Sequence, residues 1–315
     1  MSCLVSFSGL SVVVTEKGER AMAGLSVREK EGCRRLLEGL EISELFSVAE
    51  TVTNRLINVY SREEAIDAIL VYSKDATELL KRRKVNRDAI FKYLAAEKLA
   101  VPPSTEKSQL IQYAINHWAG PKVHKASTPE KKVEEEKPNG EPIDFKLLGE
   151  KFCEWFYFLL NSQNPFFGQV KGEWGPQHFW ENATLRFAYK AAEQATEEHK
   201  GAQMASLRLL ALTRDERLIF SHNSDSGEIK CVSSPHGLVV VAVAGTIHRD
   251  GACLGIFEQI FGLVRCPIGK NWKIKYVDLK VLGQDSLNSG QKKCLPSVTY
   301  QTKELELYYS DSATS

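Results

Sequence analysis

Apolar positions recur along the chain with two different periods, and the change falls near its middle. From residue 24 to residue 120 they return at helical spacing. Cys33, Leu36, Leu37 and Leu40 form one stripe, Leu45, Val48, Ala49 and Val52 a second, and Ala65, Ile66, Ile69 and Leu70 a third. Ile90, Phe91 and Leu94 give another, and Leu110, Ile111, Ala114, Ile115 and Trp118 the last. The start signals agree with the stripes. Ser26 with Glu29 and Ser61 with Glu64 have capping-box spacing, and Asn86 is placed to cap the stretch carrying Ile90. Pro102-Pro103 cannot continue a helix. A small helical bundle is expected over residues 24–120.

Beyond residue 143 the pattern mixes periods. Asp144 can cap a strongly apolar helix with Leu147, Leu148, Phe152, Phe156, Leu159 and Leu160, widened by Trp155 and Phe158. An aromatic loop follows, in which Pro176 suits the first turn of a short helix. Residues 184–189 alternate as a strand, 201–212 read as a helix, and 218–220 and 229–232 as short strands. The richest stretch is 237–282. Its β-branched and aromatic runs, broken at 249–251 and 267–269, predict three consecutive antiparallel strands. In the third, Ile274, Tyr276 and Asp278 share one face and Lys273, Lys275 and Val277 the other. The order is that of an α+β domain with about three helices on one face of a sheet.

The first two of these strands are apolar on both sides. Phe257, Gln259, Phe261 and Leu263 alternate with Ile256, Glu258, Ile260 and Val264. Val239, Val241 and Val243 alternate with Leu238, Val240, Ala242 and Ala244. Three helices cover one side, so the other requires a second protein, a second copy, or the helical domain. Ile256, Phe257, Glu258, Gln259, Ile260 and Phe261 are therefore the candidate interface residues. From residue 285 the pattern is lost. Residues 298–300 and 305–309 are expected to add one short strand or to pack as an arm, and 310–315 to fray.

Composition fixes the remaining divisions. Between Glu130 and Glu141 eight of twelve residues are charged, and Pro121, Pro129, Pro138 and Pro142 punctuate the stretch, so 121–142 reads as a disordered linker. Residues 1–23 make a poor signal peptide and read as a variable or alternative start that adds no element. Domain bounds of 24–120 and 143–284 follow, with a tail over 285–315. A net charge of +1 gives no general pull toward nucleic acid or anionic membrane. Seven scattered cysteines without a C-x-x-C pair suit isolated thiols in a reducing compartment rather than zinc ligands. No run approaches the ~20 apolar residues of a membrane span. An intracellular protein of nucleus or cytoplasm is expected, with no cofactor and no metal.

Candidate chemistry is sparse. No phosphate-binding glycine loop is present. His178, His248, Glu258 and Asp278 are the acid–base candidates, and none has a partner at a recognisable spacing. No catalytic residue is assigned and a non-enzymatic protein is expected. Lys81, Arg82, Arg83 and Lys84 form a basic tetrad, a candidate nucleic-acid or nuclear-localisation patch. Residues 22–120 nevertheless hold 15 Lys/Arg against 14 Asp/Glu, which lacks the basic footprint of a DNA binder. A solvated basic helix end is the preferred reading.

Three resemblances sharpen these expectations. Residues 86–118, with Thr105-Glu-Lys-x-x-Leu-Ile111, resemble the SAP-type helix-loop-helix module, which implies DNA contact near Lys107. Gly255-x-Phe257-x-Gln259-x-Phe261, between a valine-rich strand and an aromatic last strand, resembles the nuclear transport factor 2 superfamily. That likeness implies a cone of curved antiparallel sheet around helices, and pairing between domains through the outer sheet face. Residues 159–165, 173–180 and 233–238 resemble a vertebrate family encoded by an open reading frame on human chromosome 3. It implies a role in promoting apoptosis and assigns no biochemical activity. The combined expectation is a protein-interaction adaptor, with a nucleic-acid-associated factor and an enzyme with its site in the cone as alternatives.

Overall fold

The computed structural model describes residues 3–7, 10–14, 24–99, 101–119, 144–168, 172–190, 194–224, 228–268, 271–283 and 296–311. The expected linker lies outside the described residues. The chain divides into two compact units, Glu19–Pro142 and Ile143–Ser315 with Met1–Gly18.

The first unit is helical, as its periodicity predicts. Helices α1 (Val27–Glu38), α2 (Ile42–Val52), α3 (Arg62–Tyr72), α4 (Ala76–Lys81), α5 (Arg87–Ala96) and α6 (Lys107–Ala119) bury their stripes together. The Ser26 hydroxyl accepts from the Glu29 amide while the Glu29 carboxylate accepts from the Ser26 amide, so two orphan donors are satisfied at once. The Ser61 hydroxyl accepts from the Glu64 amide and the Asn86 side chain from the Ala89 amide, so each caps its helix one way, while the Glu64 carboxylate accepts from the Tyr60 amide. Gly32 is required by packing. A Cβ there would meet the Trp118 indole, which donates from Nε1 to the Tyr93 hydroxyl at 2.7 Å.

The second unit is α+β. Strands β1 (Cys3–Phe7) and β2 (Leu10–Val14) form an antiparallel hairpin in the opening stretch, where no element is expected from the sequence. Helix α7 (Phe145–Asn161) leads through a short 3-10 turn at Pro176–His178 into β3 (Phe179–Lys190) and β4 (Gln194–Lys200). Helix α8 (Ala202–Arg214), β5 (Ile219–His222), β6 (Lys230–Ser233), β7 (Leu238–Arg249), β8 (Ala252–Arg265) and β9 (Trp272–Gly283) follow, and α9 (Thr302–Asp311) closes the chain. The sheet order is β4-β3-β9-β8-β7-β5, with β6 also on β7. The three strands of 237–282 pair antiparallel. The sheet as a whole is mixed, because β3 runs parallel to β9. An all-antiparallel sheet fails here because β3 and β9 lie far apart in the chain and meet without a hairpin.

One alternation is also corrected. The β8–β9 register shifts between Gly262 and Leu263, so Gly262 faces Tyr276 while Leu263 faces Ile274. Lys275 is the extra residue of this bulge. Ile274 therefore joins Val277 and Leu279 in the core, while Tyr276 and Asp278 turn to the other side. Helix α7 and the sheet's inner face share one core. Strand β4, at the edge, carries Glu197, Glu198 and Lys200, which discourages pairing with other chains.

Candidate functional site

The six candidate interface residues split between the two faces of β8. Phe257, Gln259 and Phe261 point inward. Phe261 meets Phe152 and Phe156 of α7 edge-on, at ring separations of 4.9 and 4.7 Å. Ile256, Glu258 and Ile260 point outward. Half of the set is thus core and takes no part in any interface, because side chains on a strand alternate while the choice of six consecutive residues does not.

The inner face holds one polar group of note. The Tyr157 hydroxyl donates to Gln259 Oε1 at 2.7 Å, and the His222 ring stacks on Tyr157 at 4.9 Å and 16°. His222 Nε2 and Gln259 Nε2 are buried with no hydrogen-bond partner among the described residues. Burial lowers the His222 pKa, favouring neutral imidazole, and raises that of Tyr157 well above the usual phenol range. The sequence reading missed Tyr157 and His222. They lie 65 positions apart, and only the return of β5 alongside β7 brings them together.

The acid–base candidates do not join them. Glu258 accepts from Thr299, Asp278 from Tyr308, His248 pairs with Thr246 at 2.8 Å, and His178 is bonded to the Glu173 carbonyl at 2.8 Å. His178 also packs edge-on against Trp155 and is buried at the end of the 3-10 turn. No cluster of three or more metal-ligating side chains occurs among the described residues. No described helix is long and apolar enough to cross a membrane.

The outer face is where the expectation of an exposed apolar surface is corrected. Leu238, Val240, Ala242, Ala244, Ile260 and Val264 are all buried within the chain itself. Residues 296–311 form an arm on this face, extended and then helical, with α9 packed on β6 and β7. Leu305 and Val298 are its buried residues among those described. The rest of its attachment is polar. Asn223 donates to the Pro296 carbonyl at 3.3 Å, and Lys230 Nζ to the carbonyls of Val298 and Tyr300 at 3.1 and 2.7 Å. The Thr299 amide and hydroxyl both donate to Glu258, at 2.6 and 2.9 Å. The Tyr308 hydroxyl donates to Asp278 at 3.1 Å, and its ring stacks on Tyr276 at 5.8 Å. Lys280 lies over the Tyr300 ring at 4.5 Å. Gly262 makes this possible, since a Cβ there would come 2.1 Å from the Tyr276 ring. A packed arm was one of two expectations for this segment, and its second half is a helix rather than a strand.

The basic tetrad sits at the end of α4 and in the turn after it. Lys81 and Arg83 are exposed, and Arg82 is engaged with Thr51 and Glu78. Lys107, the residue that the SAP-type likeness would aim at DNA, donates to the carbonyls of Arg82 and Lys81 at 2.8 and 3.2 Å. It caps α4.

Two family models match the chain: the DUF4518 family N-terminal domain over residues 25–120 and the DUF4518 C-terminal domain over 146–292. A rat protein, "Uncharacterized protein C3orf38 homolog", is 51% identical over 92% of this chain and 86% of its own length. The mouse protein of the same description is 50% identical over the same shares. Among solved structures, nuclear transport factor 2 from Cryptosporidium parvum is 16% identical over 44% of this chain and 94% of its own, with a TM-score of 0.31. The yeast UBP3-associated protein BRE5 is 12% identical over 42% and 91%, also at 0.31.

Proposed function

The chain belongs to the DUF4518 family, and we propose that its C-terminal domain is a non-enzymatic docking module whose outer sheet face is covered by the chain's own arm and is given over to a second copy of the same domain when the arm leaves. One observation carries this reading. A broad apolar sheet face is closed by a cover in which Val298 and Leu305 alone, among the described arm residues, are buried, while Thr299 and Lys280 at its anchors are exposed. Such a cover is held weakly beside a core. Once it is off, the uncovered face presents Glu258 and Asp278 together with Lys230 and Lys280. That mixture is self-complementary about a two-fold axis, as an isologous interface requires. The role in apoptosis that the family resemblance implies would be exercised through such binding.

Sedimentation of the chain lacking residues 296–315 tests the proposal. The opened chain is expected to dimerise at protein concentrations on the order of 10 µM, where the intact chain is expected to stay monomeric. Ile260→Lys in the opened chain is expected to return it to monomer. A folded, monomeric opened chain overturns the reading. Leu305→Asp in the full-length chain provides a second way to lift the arm if the truncation fails to fold. No observation favours the nucleic-acid alternative, and Lys107, the residue that the SAP-type likeness aims at DNA, is engaged with the carbonyls of Lys81 and Arg82.

A further inference from the structure

The anchors of the arm differ in what a chemical change would do to them. Lys230 and Asn223 hold backbone carbonyls of the arm, so the arm's own side chains are not involved there. Tyr308 is different. Its hydroxyl is the donor, its acceptor Asp278 belongs to the sheet, and its ring is half-buried against Tyr276. Burial, reinforced by Asp278, raises the phenol's pKa, so the proton that makes the bond stays in place. The contact works only while the oxygen carries that proton. Any modification that replaces the proton by an anion turns the anchor into a repulsion.

We propose that Tyr308 is a phosphoryl-acceptor site, and that its modification releases the C-terminal arm and so controls the outer sheet face. The control of docking rests on the function proposed above, whereas release of the arm does not. The phosphoryl donor is ATP, supplied with a tyrosine kinase. The phenolic oxygen bonds to the γ-phosphorus, the bridging bond to the β-phosphate breaks, ADP leaves, and the phenolic proton passes to the kinase's base. The added group carries about −1.5 to −2 charges and would face the Asp278 carboxylate at the distance of a hydrogen bond. Two cations lie nearby: Arg186, paired in register with Asp278 across β3–β9 and 3.9 Å from Glu198, and Lys280, which is held over the ring of Tyr300, itself 6.3 Å from that of Tyr308. With its ring stacked and its hydroxyl engaged, Tyr308 meets a kinase only in the released arm. Phosphorylation therefore traps a state that already exists, by mass action. Glu304, Glu306 and Asp311 flank the residue, which suits a kinase with a basic substrate groove.

Semisynthesis gives a clean test with the full chain, because Cys294 allows a synthetic segment 294–315 to be ligated at a native residue. The chain with phosphotyrosine at 308 is compared with its unmodified twin, prepared identically, by hydrogen exchange of amides 298–308. Exchange is expected to be about 10-fold faster or more in the phosphorylated chain, and Asp278→Asn is expected to recover about 3-fold of the protection by removing one like charge. Equal exchange in the two twins overturns the proposal, and so does faster exchange that Asp278→Asn leaves unchanged. Sedimentation of the same samples separates the two claims. Fast exchange with a monomer upholds release of the arm and sinks the docking function.

Discussion

The two faces of one sheet are closed by different means. The inner face of β7, β8 and β9 meets a 17-residue helix whose Phe152, Phe156 and Tyr157 interlock with Phe257 and Phe261. The outer face meets a short arm with Leu305 and Val298 buried and a ring of hydrogen bonds at its margin. Apolar burial scales with area and is indifferent to salt or to single charges, whereas marginal polar bonds contribute about 1 kcal/mol each at most when exposed. The same strand thus presents a permanent side and a conditional side. Stability is built on the first, and the proposed docking on the second.

The comparison breaks if the two sides respond alike to substitution. On the inner side Phe261→Ala is expected to destabilise the whole domain by about 3–5 kcal/mol, read as a shift of the denaturant midpoint, because the rings of α7 cannot refill the void. A loss confined to the arm would make the inner face no firmer than the outer. Next in size, Tyr157→Phe leaves Gln259 buried with neither end of its amide bonded by Tyr157. About 1–3 kcal/mol of global stability should be lost, and a neutral result would show that Gln259 finds another partner. Smallest, Thr299→Val removes one exposed hydroxyl donor from Glu258. It should loosen only the arm, by about 1 kcal/mol or less in local opening measured by hydrogen exchange, with the global midpoint unchanged. A shift of the global midpoint would mean that arm and core unfold together.

The helical unit was the most legible part of the chain. Its stripes and caps are local, and Ser26, Ser61 and Asn86 all cap their helices, although only Ser26 closes a capping box. The central strands were legible too, since β-branched runs and turn residues leave few alternatives. What stayed hidden is long-range. Strand β4 is polar but for Ala195, so no alternation announces it. The parallel pairing of β3 with β9 joins segments about 90 positions apart. The Lys275 bulge reverses the facing of Ile274 although the local pattern reads as unbroken. The arm was legible only as one of two alternatives, and its helix was not. Residues 296–311 carry few apolar side chains, and their role emerges only beside a face that needs covering.

The position of the arm in the chain also sets an order of events during synthesis. Strand β9 ends at Gly283 and α9 at Asp311, 28 residues later. At roughly 5–20 residues per second the last strand has been synthesised about 1–6 s before its cover has been made. Through that interval Leu238, Val240 and Ile260 have no arm to cover them, and neighbouring nascent chains on a polysome carry the same residues. Slowing translation over residues 284–311 is therefore expected to favour contact of this face with a chaperone or another copy over contact with its own arm.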